Sequence, residues 1–119
     1  MHRLTNGFEV TRMEKTIWIA FDFGVTGDHE SLYAWLDDHN AKECGNNLAV
    51  LSYSFQGDLL TTLKQELSAA VNIGKRDRMY IIWREDDTRK VKGHFLFGKR
   101  KAAPWVGFGA QEPQLDEEA

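Results

Sequence analysis

Short apolar segments alternate with amphipathic ones along this chain, and that alternation restricts its fold more than any other feature. The segments rich in β-branched or aromatic residues, which predict strands, are residues 16–23, 47–55, 79–83 and 91–97. The segments with apolar residues at helical spacing, which predict helices, are residues 28–39 and 58–73. The predicted order of elements is therefore β-α-β-α-β-β.

The first strand and the second helix have the clearest patterns. Residues 16–23 are almost wholly apolar before Asp22, which predicts a central strand buried on both faces. Asp58 is suited to cap the helix over residues 58–73. Gly74 is expected to close this helix in a left-handed conformation.

Two amphipathic helices can cover only one face of such a sheet, so the sequence predicts an α+β sandwich in which an antiparallel sheet carries both helices on one face. Residues 42–46 leave open a further, very short strand before the second long strand. With that strand the core order becomes β-α-β-β-α-β, the ferredoxin-like motif.

The length of 119 residues predicts a single domain, with its core over about residues 15–108. Residues 1–14 are interpreted as a short extra strand or a loose tail, and the acidic residues 111–119 as a disordered tail. The apolar residues 104–108 are expected to form an edge strand or a cover. Within them, Trp105 either anchors a partner or closes the chain's own core.

The sequence predicts a cytoplasmic protein that does not enter membranes. It contains one cysteine, Cys44, which fits a reducing compartment and is interpreted as a small packed side chain rather than a nucleophile. No apolar run approaches the roughly 20 residues that span a bilayer.

Basic residues are concentrated in one part of the chain. Residues 75–101 contain ten basic and four acidic residues, a net charge of +6, whereas the whole chain carries −3. This segment is interleaved with aromatic residues, which makes it a candidate for contact with a nucleic-acid backbone. The alternative is a solvated, charged sheet edge that discourages aggregation. The candidate contacts are Arg76, Arg78, Arg84, Arg89, Lys90, Lys92, Lys99, Arg100 and Lys101.

Asp22 is the one candidate for a catalytic or metal-binding residue, because a carboxylate at the end of a buried strand is costly unless it has a partner. It is suited to coordinate magnesium through oxygen. The alternative is that it accepts backbone hydrogen bonds from the loop over residues 24–28. That loop is also a weak candidate for holding a phosphate on its amides.

Two stretches carry a resemblance to a known family. Phe21-Asp22 closes an apolar strand before a loop and helix, and the run from Leu48 through the second helix ends in Asp77-Arg78-Met79-Tyr80-Ile81-Ile82. Over residues 16–97 the chain resembles the small CRISPR-associated ferredoxin-fold nucleases and their SinR-like relatives. The resemblance implies a homodimer. In some members the aspartates that end the first strands face each other and bind a divalent metal that cleaves phosphodiesters, and only Asp22 matches that position.

The sequence therefore favours a small homodimeric, ferredoxin-like binding or regulatory module that contacts nucleic acid through residues 75–101. One alternative is a magnesium-dependent endonuclease that uses Asp22 across a dimer interface. Another is a small-ligand sensor. Cleavage normally needs more than one carboxylate at the metal, so nuclease activity is expected to be absent or feeble.

Overall fold

The computed structural model describes residues 11–109, which form a five-stranded sheet and two helices. The strands are β1 (Met13–Asp22), β2 (Lys42–Gly45), β3 (Leu48–Phe55), β4 (Arg78–Arg84) and β5 (Val91–Phe97). The helices are α1 (His29–Asp38) and α2 (Leu59–Ala70). The predictions for the first ten residues and for the acidic tail lie outside the described residues.

The strands lie in the order β2-β3-β1-β4-β5, and every neighbouring pair is antiparallel. The α+β class with an antiparallel sheet is therefore confirmed. The short strand that the sequence left open is present as β2, next to β3, and β1 is central as predicted. Asp28 and Asp58 cap the two helices by accepting hydrogen bonds from the amides of Ser31 and Thr61.

The core lies between one face of the sheet and both helices. Alternate residues of β1 point into it, so that Ile17 and Ile19 are fully buried. The same core cluster takes side chains from α1 and α2, which means that both helices pack on this one face. Their buried members are Leu32, Trp35, Leu59, Leu63 and Leu67.

Two predicted features of these elements are wrong. The central strand is buried on one face only, because Trp18 and Ala20 on its other face are half-buried and Thr16 is exposed. Helix α2 ends at Ala70, before Gly74. Val71 is extended, with φ −127° and ψ 137°, and packs into the core, so the chain leaves the helix early to bury an apolar side chain.

The segment after β5 forms neither an edge strand nor a cover. It makes a turn in which Val106 donates to the carbonyl of Ala103 at 3.1 Å, and Trp105 is 72% exposed. Trp105 therefore does not close the chain's own core. Cys44 is exposed on β2, so the expectation that it is a small packed side chain is also wrong. Within residues 11–109 there is no helix long and apolar enough to cross a membrane.

Candidate nucleic-acid interface

One end of the sheet collects the end of β1, the start of β4 and the end of β5, because neighbouring strands run in opposite directions. We call it the basic end and define it as Asp22, residues 75–78 and residues 98–101. Gly98 lies against Arg78, so residues 98–101 begin beside the start of β4. The basic end thus combines residues that are far apart in the sequence.

Asp22 lies on the surface of the basic end, where its side chain is 56% exposed. Arg78, its direct neighbour in the pairing of β1 with β4, donates to Asp22 Oδ2 from Nη2 at 2.8 Å and from Nε at 3.3 Å. Lys101 Nζ lies 3.7 Å from the same oxygen. The hydrogen bond from Arg78 lowers the pKa of the Asp22 carboxyl. Asp22 is thus ionised and paired with cations.

These residues do not fit a magnesium site within one chain. Magnesium needs several oxygen ligands, whereas Asp22 is a single carboxylate whose Oδ2 already faces a guanidinium and an ammonium group. No three His, Cys, Asp or Glu side chains within residues 11–109 are grouped so that they could hold a metal. The alternative prediction for Asp22 is that it accepts hydrogen bonds from the loop over residues 24–28. Among the described residues its hydrogen-bond partner is instead Arg78.

The nine predicted contact residues are split between the two ends of the β4–β5 hairpin. Those at the basic end are Arg76, Arg78, Lys99, Arg100 and Lys101. Those at the opposite end are Arg84, Arg89, Lys90 and Lys92. The seven-residue strand β4 spans about 20 Å, so the two groups cannot form one continuous patch.

The opposite end, residues 84–92, is the hairpin end, and its charges are mixed. Lys15 pairs with Asp86 at 3.0 Å, and the indole of Trp83 donates to Glu85 at 3.0 Å. With Asp87 as a third acid, this end has almost as many negative as positive side chains. The basic end contains only Asp22 as an exposed acid within its defined segments, so it is the better surface for a polyanion.

Asp77 is a buried acid that bonds to the backbone of two loops near the basic end. The sequence alone gives it no role beyond its place in the family resemblance. It is only 4% exposed, and its carboxylate accepts hydrogen bonds from the amides of Gly24 at 3.1 Å and Gly74 at 2.7 Å. It thereby joins the loop after β1 to the loop before β4. Because Lys75 and Arg76 lie in the second loop, Asp77 fixes the backbone that carries them.

The loop over residues 24–28 is not suited to hold a phosphate. Asp28 accepts from the amides of Ser31 at 3.1 Å and Asn72 at 3.0 Å, and the bond from Asn72 is the main cause of its lowered pKa. The amide at the start of the helix is therefore already bonded to a carboxylate. The cavity beside this loop is lined by two carboxylates, Asp28 and Asp77, and by two basic side chains, Lys75 and Arg76, so it has no surplus of positive charge to hold a second anion.

The face of the sheet opposite the helices is called here the open face, and it carries an apolar band. In one row of cross-strand neighbours lie Val50, Trp18, Ile82 and Gly93. In the next row lie Leu48, Ala20, Tyr80 and Phe95. Seven of these eight residues are half-buried, and Asp22 and Arg78 form the polar row that follows toward the basic end.

The chain matches no family model, and comparison with curated proteins and with solved structures gives no significant match.

Proposed function

We propose that this protein is a small cytoplasmic homodimer with a ferredoxin-like fold, and that it is a binding or regulatory module which contacts nucleic acid through its basic end. The observation that supports this best is the grouping of five predicted contact residues and Lys75 at one end of the sheet, where two of them, Arg78 and Lys101, pair with Asp22. A cluster of exposed Lys and Arg side chains attracts phosphates by releasing counterions from the nucleic acid.

The proposed ferredoxin-like fold is supported by the order of the elements. The first six elements follow the order β-α-β-β-α-β, and β5 adds a further strand beside β4. The resemblance of residues 16–97 to the CRISPR-associated nucleases and SinR-like proteins stays a prediction. It contributes the expectation of a dimer to this proposal.

The homodimer is proposed to form through residues 104–108. Trp105, Val106 and Phe108 are 72%, 68% and 85% exposed, which gives three large apolar side chains within four residues. Exposed aromatic residues on an ordered turn are typical anchors of protein interfaces. Val106 N and Phe108 N both donate to backbone carbonyls, so the turn presents these side chains in a defined arrangement.

Nucleic-acid binding is tested by the salt dependence of oligonucleotide affinity in two variants of equal charge. One replaces Arg76, Lys99 and Arg100 by Gln and keeps the Arg78–Asp22 pair, and the other replaces Arg84, Lys90 and Lys92 by Gln. Loss of three phosphate contacts lowers the slope of log affinity against log salt by about 2 for a single strand. We expect this change in the basic-end variant only. Equal effects in both variants would contradict the proposed site.

The dimer is tested by sedimentation of the wild type and of the double variant Trp105→Ala and Phe108→Ala. We expect a dimeric wild type at micromolar concentration and a monomeric variant with unchanged secondary structure. A wild type that sediments only as a monomer would contradict the dimer. A variant that remains dimeric would place the interface elsewhere.

The endonuclease and the small-ligand sensor stay predictions with less support. The endonuclease would need a second Asp22 from another chain, and each Asp22 is already paired with Arg78. The sensor would need a ligand in a cavity such as the one of about 400 Å³ between α1 and the β2–β3 hairpin. Neither gains a specific supporting contact from the described residues.

A further inference from the structure

Tyr80 lies across a glycine on the open face. A Cβ at position 93 would be only 2.6 Å from Cε2 and 2.7 Å from Cζ of Tyr80, so the ring occupies the space where a side chain would stand. Gly93 is the diagonal cross-strand neighbour of Tyr80 on the edge strand β5. Glycine at this position therefore allows the tyrosine ring to lie over the backbone of β5.

Phe95 and two cations complete a cavity around this ring. Phe95 pairs directly with Tyr80 and meets it edge to face, with ring centroids 4.8 Å apart and an interplanar angle of 73°. The guanidinium carbon of Arg78 is 6.0 Å from the centre of the Phe95 ring, and the same guanidinium donates a hydrogen bond to Asp22. Together with Arg100 these residues line a cavity of about 440 Å³.

We propose that this cavity binds a nucleobase of a single-stranded nucleic acid, stacked on the ring of Tyr80, with the adjoining phosphates at Arg78 and Arg100. This inference rests on the proposed function and adds its substrate class. An aromatic ring that lines a surface cavity offers a stacking surface to any base, and nearby cations favour a ligand that is both planar and anionic.

A single strand fits this arrangement better than a duplex does. In a duplex the bases stack on each other and present only their edges, whereas the unpaired bases of a single strand are free to stack on aromatic side chains. A second copy of the chain fits less well, because it would bring its own Arg78, Arg100 and Lys101 toward like charges at the rim of the open face.

The test compares three variants of Tyr80 by titration with a short oligothymidylate labelled with a fluorophore. Tyr80→Phe keeps the ring, Tyr80→Leu keeps an apolar cover over Gly93, and Tyr80→Ala removes both. Loss of one base–aromatic stack weakens binding roughly 5- to 150-fold. We expect this loss in the Leu and Ala variants and wild-type affinity in the Phe variant. Thermal unfolding verifies that each variant is folded.

The ligand is identified by repeating the titration with a duplex of the same length and with free thymidine monophosphate. We expect the single strand to bind most tightly. If Tyr80→Leu binds like the wild type, or if duplex and single strand bind equally, the stacking site is wrong although the basic end still binds nucleic acid. Tyr80-dependent binding of the monophosphate with the same affinity as the strand would show a mononucleotide site instead.

Two further outcomes separate the remaining possibilities. If the wild type binds no nucleic acid at any salt concentration, the proposed function fails and this inference fails with it. If Tyr80→Ala turns a dimer into a monomer in sedimentation without changing oligonucleotide affinity, the open face is an interface between copies, which also overturns the stacking site.

Discussion

The two faces of the sheet use the same strands in different ways. On the helix-covered face, Ile17, Ile19 and Ile81 are fully buried beneath two helices. On the open face, their neighbours Trp18 and Ile82 are only half-buried. The helix-covered face therefore contributes most of the hydrophobic stabilisation. Within residues 11–109, the open face leaves apolar and aromatic surface available for a partner.

Side-chain hydrogen bonds also hold the helices to the helix-covered face. Glu66 on α2 accepts hydrogen bonds from the indole of Trp35 at 2.9 Å and the hydroxyl of Tyr53 at 2.7 Å. Burial and the neighbouring Glu66 raise the pKa of Tyr53, so its phenol stays protonated and donates. These bonds join α1, α2 and β3, and the open face has no equivalent cover within the described residues.

The largest expected effect is a loss of stability on the helix-covered face. Leu67→Ala removes a fully buried side chain and should lower the free energy of unfolding by roughly 2–4 kcal/mol. Leu63→Ala should act similarly. The matched control on the open face is Ile82→Ala, with an expected loss of about 1 kcal/mol, because Ile82 is only half-buried. Equal losses in chemical denaturation would contradict the difference between the faces.

A smaller loss in the free energy of unfolding is expected when Asp77, which joins the two loops near the basic end, is replaced. Asp77→Ala leaves the amides of Gly24 and Gly74 without their acceptor and should cost about 2–3 kcal/mol. Asp77→Asn retains one carbonyl oxygen and should lose less. Oligonucleotide affinity should fall in Asp77→Ala even while it is folded, since the loop that carries Lys75 and Arg76 is released. Unchanged affinity would mean that this loop does not contact the ligand.

Only part of this arrangement could be predicted from the sequence. Periodicity located the strands and helices because burial on one face imposes a regular spacing of apolar residues. The β4–β5 hairpin, which the sequence also predicts, places the basic residues of 75–101 at two opposite ends of the sheet. A count of charges along the chain does not show that division. The Asp22–Arg78 pair depends on the register of β1 against β4, and that register comes from tertiary packing.

Asp77 shows a second limit of sequence reasoning. It stands between Arg76 and Arg78, where a carboxylate is expected to be solvated. Its burial depends on two loops meeting, and the glycines at positions 24 and 74 supply the amides it accepts from. A pattern of neighbours along the chain does not contain that information.

A slight effect is expected for Asp22→Asn. Its carboxylate is exposed, so the ion pair with Arg78 should contribute less than about 1 kcal/mol. Because the folded pKa lies below the ordinary value of 3.8, this contribution is present at neutral pH and is lost as pH falls below that value. The stabilities of wild type and variant should therefore converge in acid. A difference that grows in acid would contradict the ion pair.

The weakest expected signal is catalytic. Wild-type protein incubated with nucleic acid and magnesium or manganese should show little or no cleavage, because the Asp22 carboxylate is paired with Arg78 and Lys101. Asp22→Asn serves as the matched control. Robust cleavage by the wild type that disappears in Asp22→Asn would establish the endonuclease and reject the binding module.

The most direct measurement of the central claim is an NMR titration of the isotope-labelled protein with a single-stranded oligonucleotide. The proposed function and the stacking site together predict amide shifts at Tyr80, Gly93 and Phe95 and in the basic end. The amides of Leu63 and Leu67 on the helix-covered face should stay unchanged. Shifts confined to the hairpin end or to the helices, or no shifts at all, would contradict the assignment of the basic end and the cavity at Tyr80 as the binding surface.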